Sequence, residues 1–318
     1  RGRFRRLLRW MIVMALCLLA VYAVIDQVLM KKLAGQMEQL REEGRPTTFA
    51  EMGVGTLPPS ENAALIYRSA AKDMNAVLLS VGQETLRERF HDVTTCPRHR
   101  KDEGRDYAPL SADELRTIEA HMQALEPALA TLPEARTMPG CEFGNYAAMG
   151  GAATNPGAVL PHLADVRAVA RNVAYKAVWE AEQGNSEEAL KWVAVNMRLA
   201  NDLTGDPLLI AGLVRVAVAS IALDSLERIL HDRELPENVP EELYAELEGL
   251  RNRENLVRFI DGERCLTAAY ARTPGGNPLT RALYYTPGLT GMNRVTSTMA
   301  EALLEKDYAR RETLLASL

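Results

Sequence analysis

From Trp10 to Ile25 the chain reads WMIVMALCLLAVYAVI, sixteen residues without a charge. A run of this kind folds either inside a protein core or in a bilayer, so it constrains the chain more than any other feature. Asp26 and Gln27 interrupt it, Val28 to Met30 resume it, and Lys31 and Lys32 close it. Counted from Leu7 to Met30 it is long enough to span a membrane, which takes ~20 mostly apolar residues in a helix. A secretory signal has a shorter apolar region of ~7–15 residues and a small-residue cleavage site. Val21-Tyr22-Ala23 resembles such a site, but the apolar pattern runs on past it. The expectation is an uncleaved single span, with Trp10, Ile12, Leu16, Leu19 and Ile25 as its membrane-facing residues. Cys17 lies mid-run behind bulky Leu16, which is unlike a lipid-attachment cysteine. Arg1, Arg3, Arg5, Arg6 and Arg9 precede the run, and a basic cluster stays cytoplasmic. The remainder is therefore expected outside the inner membrane, in the periplasm or its equivalent.

Charge separates the two sides. The whole chain has 37 Lys+Arg and 42 Asp+Glu, while residues 1–32 hold seven basic groups and one acidic group. That leaves 30 against 41 beyond residue 32, a net charge of −11. An acidic body argues against nucleic acid, whose binding rests on neutralised phosphates. It argues equally against lying flat on anionic lipid.

Aromatics make up 6% of the chain, and clusters of β-branched residues are scarce, so strands are disfavoured and an all-α fold is expected. Beyond the span, Met30, Leu33, Met37 and Leu40 are spaced by three and four with polar residues between them, a helical stripe. It ends at Gly44 and Pro46. It is expected to pack on the chain's own body or on a partner subunit. The expected organisation is a basic stub and anchor (1–32), a projecting helix and connector (33–58), and an exported helical domain (59–318).

In that domain Ser60 opens a helix running to about Phe90, and Ser111-Ala-Asp-Glu114 is a capping box for another reaching about Leu132. Leu160–Gln183 and Glu187–Leu203 make a helical hairpin about Gly184-Asn185. Asp206 with Pro207 starts an apolar helix, LLIAGLVRVAVASIALDSLERIL. Pro240 starts one that continues to Arg272, kinked near Asn252, and a last helix runs from about Ser297 to Leu315. PGCEFGNYAAMGGAATNPGAVLP and TPGGNPLTRALYYTPGLTG lack any period, and long irregular stretches of this kind serve contacts or function.

The hairpin, with Ala177, Gly184-Asn185 and Ala189, is similar to a single tetratricopeptide unit, but no 34-residue period recurs. Over most of the chain, PPSENAALIYRSA, LPHLADVRAVAR, EEALKWVAVNMRLANDLTGDPLLIAGLVRVAVASIALDSLERIL and DGERCLTAAYAR resemble exported, N-terminally anchored helical proteins of planctomycete-type bacteria. The resemblance implies fold and location; it supplies no activity, cofactor or catalytic residue.

Motifs for common chemistry are missing: no His-Glu-x-x-His, no Gly-x-Ser-x-Gly, no Gly-rich phosphate loop and no Cys-x-x-Cys. His91, Cys96, His99 and Cys141 have metal-ligand chemistry. Cys96 and Cys141 are alternatively a disulfide, favoured outside the cytoplasm, or free thiols. His162 reads as a capping or packing residue, and Cys265 as a small buried one. Asp261 with Glu263, and Glu180 with Glu182, are the candidates for acid–base work; Tyr284-Tyr285 either stacks on a ligand or fastens its segment. Arg215 is the only charge between Pro207 and Leu223. In a central helix surrounded by neighbours it needs either a buried carboxylate, with Glu263 the candidate and Asp261 the alternative, or a path to the surface along its stem.

Taken together the sequence implies a membrane-anchored scaffold or accessory subunit of an envelope complex, without a cofactor. The alternatives are an envelope hydrolase using Glu263 or Asp261 and a helical module binding a small molecule or lipid.

Overall fold

The computed structural model describes residues 2–55, 57–80, 112–144, 146, 161–232, 236, 238–272, 295, 298–305 and 310. Its helices are α1 (Gly2–Glu42), α2 (Ala63–Ser80), α3 (Ala112–Leu129), α4 (Pro161–Glu182), α5 (Ser186–Asp202), α6 (Leu209–Asp232), α7 (Glu241–Arg251) and α8 (Glu254–Arg272). No strand occurs among the described residues; one isolated bridge joins Asn62 to Gly140. The chain divides into a first unit (Arg1–Gly53, Tyr146–Thr154, Ile260–Leu318) and a hairpin unit (Val54–Asn145, Asn155–Phe259).

The hairpin unit is organised by α4 and α5. Gly184 joins them at φ +84°, a left-handed conformation that glycine adopts without steric strain. Ala170, Ala174, Ala177, Ala189, Ala194 and Ala200 are fully buried, and such small side chains let packed helices approach closely. Around them Leu190, Val193 and Met197 of α5 join Val169 and Val173 of α4, Tyr67 and Met74 of α2, and Leu125 and Leu129 of α3 in one core. α6 packs on both hairpin helices and α7 on α5. Asn252 breaks the expected single helix after Pro240, and its side chain accepts the Glu254 N–H at 2.9 Å, restarting the chain as α8.

α6 departs from the expected surrounded helix. Ala211, Val214, Val218, Ala222 and Ile229 face the core, whereas Leu209, Leu213, Val216, Leu223 and Leu230 are exposed. Composition made both faces apolar, but neighbours cover only one.

In the first unit α1 runs unbroken for 41 residues. Its stretch from Trp10 is long and apolar enough to cross a membrane, with Trp10, Ile12, Leu16 and Ile25 exposed; the Leu19 side chain lies outside those described. Gly44, at φ +73°, ends the helix, and Arg45 N–H returns to the Leu40 carbonyl at 2.8 Å. The stripe is consumed internally. Leu33, Met37 and Leu40 are buried, with half-buried Met30 beside them, against Ala268 of α8, so the stripe packs on this chain's own body. Phe49 packs on Tyr146 with ring centroids 5.6 Å apart.

Candidate functional site

Two buried charge clusters stand out, one in each unit. The hairpin unit brings Tyr67 from α2 to Arg198 and Asp202 in the last turn of α5. The Tyr67 hydroxyl donates to Asp202 Oδ2 at 2.6 Å. Arg198 Nε lies 2.8 Å from Asp202 Oδ1, an i, i+4 pair across one helical turn. That N–H has no directed acceptor, so the contact is chiefly Coulombic. Arg198 also donates to the Met138 carbonyl at 3.3 Å and lies 4.0 Å from Glu246 Oε1 on α7. Asn201 continues the network, donating to Glu246 Oε2 at 2.8 Å and to its carbonyl at 2.9 Å.

Beside this network the Asp202–Asp206 turn meets the segment after α3. A Cβ added at Gly205 would sit 1.7 Å from the Cys141 carbonyl oxygen, so only glycine permits that approach. Asp206 Oδ2 contacts His162 Nε2 at 2.7 Å, and the imidazole lies flat on Phe143, centroids 4.6 Å apart and planes 7° apart. Arg68 donates to the Phe143 carbonyl. Glu142 and Asn62 lock the same segment to the connector: Glu142 accepts Gly55 N–H at 2.9 Å and Leu57 N–H at 3.2 Å, while Asn62 accepts Glu142 N–H at 2.8 Å.

Burial pushes the Asp202 carboxyl up to about 6, against the pull of the Arg198 charge and the Tyr67 hydroxyl. Burial and the Asp202 charge push the Tyr67 phenol well up, and the same two causes raise the Cys141 thiol well above its ordinary range. Cys141 is thus a buried thiol held protonated, the opposite of an activated nucleophile. Chemically the cluster can hold a proton at Asp202 and tie four chain segments together. Its members Tyr67, Cys141, His162, Asp202 and Asp206 are all buried, whereas a general acid must come within hydrogen-bond reach of its substrate.

The second cluster lies in the first unit. Asp261 Oδ1 accepts from Arg45 at 2.8 Å and from Arg264, one turn along α8. Arg264 is completely buried and also lies 3.5 Å from the Pro46 carbonyl.

Of the residues singled out in the sequence, several take different partners. Arg215 is buried, but its acceptors are neutral: Asn201 Oδ1 at 3.3 Å and the carbonyls of Gly249 at 3.0 Å and Leu250 at 3.3 Å. The expectation of a Glu263 carboxylate for it is corrected, because the end of α7 offers unpaired helix carbonyls within its own unit and Glu263 belongs to the other. Cys141 is a free thiol, and its candidate partner Cys96 lies outside the described residues, as do His91, His99, Tyr284 and Tyr285. Glu180 pairs with Lys176 at 2.8 Å, and Glu182 lies 3.9 Å from Arg228. His162 and Cys265 are buried, as the sequence reading had them. Sequence reasoning missed Tyr67, Arg198, Asp202 and Glu246; only the acidic Asp202 in an apolar stripe offered a signal. Compared with known families, curated proteins and solved structures, the chain matches none.

Proposed function

We propose that this protein is a membrane-anchored helical accessory subunit of an envelope complex, held in the inner membrane by α1 with its body outside the cytoplasm. The observation that carries the reading is the open face of α6. Leu209, Leu213, Val216, Leu223 and Leu230 are 43–60% exposed and succeed one another at helical spacing, so they line one side of a well-packed helix. Ser220 and Glu227 fall on the same side, so the face is mainly apolar with two polar breaks; exposed apolar patches mark interaction sites, and a face of this kind fits a partner's amphipathic helix. The long apolar stretch of α1 supports the membrane part of the reading, and the basic residues before it support the orientation.

The test is photo-crosslinking in intact cells from Leu213 and Val216. One recurrent adduct, mapping to an apolar helical segment of another polypeptide, is the expected result. Adducts to this same chain indicate self-association instead, and adducts to lipid alone place the face on the bilayer; either overturns the accessory-subunit reading. The anchor has its own check. The protein is expected to stay membrane-bound through carbonate and high salt, and a mature N-terminus near Val24 overturns that part.

A further inference from the structure

Among the described residues of the first unit, two arginines in a buried cluster share a single aspartate. Arg45 follows the turn that ends α1, and Arg264 and Asp261 are separated by one turn of α8. Both guanidiniums address the same oxygen, Asp261 Oδ1. One carboxylate therefore serves two cations in a place where Arg264 is 0% exposed and the Arg45 and Asp261 side chains are 18% and 9% exposed. Glu51, another acid of this unit, is engaged elsewhere: it accepts Thr47 N–H at 2.6 Å and Arg41 Nε–H at 3.1 Å. Burial and the repelling Arg45 charge both work against the Arg264 guanidinium.

The hydrogen bonds fall short in the same place. Arg264 Nε and Nη1 and Arg45 Nε are buried with no acceptor. Arginine cannot shed its charge to escape burial, and unmet buried donors are rare enough to call for a partner. Three nitrogens on two adjacent guanidiniums exceed what one two-oxygen carboxylate accepts in a bidentate contact. A tetrahedral oxyanion carries the negative charge and a third oxygen. We infer that Arg45 and Arg264 form a binding site for a phosphate-class oxyanion, which completes the charge balance that Asp261 begins. Arg45, the more exposed of the two, provides the side from which the anion arrives, and Arg264 the buried wall. Free phosphate and the phosphate of a lipid headgroup share this chemistry.

The test uses the full chain in detergent, prepared without phosphate. Thermal unfolding is followed while inorganic phosphate, or separately a short-chain phosphatidate, is titrated at constant ionic strength set by chloride. The expected result is a saturable rise in Tm of several degrees with one or both probes, and which probe acts identifies the source. Arg45→Gln should weaken the half-saturating concentration at least tenfold. Arg264→Gln should do the same if it folds; Arg45 decides the matter if it does not. No rise beyond the chloride control with either probe overturns the site. So does an equal rise in Arg45→Gln, since binding would then lie elsewhere.

Discussion

Asp202 and Asp261 are both buried aspartates on helices, each with an arginine on its own helix, yet the charges around them differ. Asp202 has one guanidinium 2.8 Å away and a neutral phenol at 2.6 Å, with Glu246 adding negative charge nearby, and burial raises its carboxyl to about 6. Asp261 has two guanidiniums on one oxygen. The first is a carboxylate short of positive charge, the second a pair of cations short of negative charge. The same contrast runs through the apolar helix faces of the two units: the α1 stripe is covered and the α6 face is open. Residue type therefore does not set the role of a buried acid or an apolar stripe; what lies opposite does.

The largest expected effect is at Asp261. Asp261→Asn removes the carboxylate that Arg45 and Arg264 share, and breaking a buried pair costs about 3–5 kcal/mol, read by denaturant unfolding. Asp202→Asn keeps an acceptor for Tyr67 and relieves a poorly compensated charge, so its loss should be well below that of Asp261→Asn. Equal losses at the two aspartates would erase the contrast.

Next in size, Leu33→Ala should destabilise by about 2–5 kcal/mol, the range for a buried leucine, because Leu33 is 2% exposed.

Asp202 also makes stability depend on pH. The folded Asp202 carboxyl titrates near 6 and its unfolded counterpart near 3.8. Below the unfolded value both states hold the proton, and Asp202 contributes fully. Between the two values the unfolded state has released it while the folded state has not, so stability falls as pH rises. The shift corresponds to roughly 2–3 kcal/mol lost between about pH 4 and 6. Urea midpoints across that window should show the decline at this site, and Asp202→Asn should flatten it. A pH profile identical in wild type and variant would refute the assignment.

The smallest effect sharpens the comparison of faces. Leu213→Ser, at a position 60% exposed, should change stability by no more than about 0.5 kcal/mol while weakening the crosslink from Val216. A loss like that of Leu33→Ala would mean that the α6 face is covered after all.

Much of the fold was legible in residue order. The hairpin turn at Gly184, the return helix to Asp202 and the break at Asn252 all follow from glycine, capping and period, which act within a few residues. The stripe at Leu33, Met37 and Leu40 was equally plain, but whether it met this chain or another was not. The clusters were harder still. Tyr67 and Asp202 are 135 residues apart, and Arg45 and Asp261 are 216 apart. Nothing local marks either tyrosine or arginine as half of a pair. Arg215 shows the limit from the other side: a lone charge in an apolar helix announces that it needs acceptors, yet backbone carbonyls are the same in every sequence.

The amino-acid sequence by itself determined that this chain is helical, where most helices begin and end, and that its first long helix has the length and apolarity to cross a membrane. These properties depend on 3.6-residue periodicity and near-neighbour chemistry, which residue order states directly. Only the tertiary structure decided which apolar face is covered, which arginine meets which carboxylate, and that Asp202 sits near 6 while Arg264 keeps nitrogens without acceptors. Those outcomes depend on distance and desolvation, which are set when elements remote in sequence pack against one another.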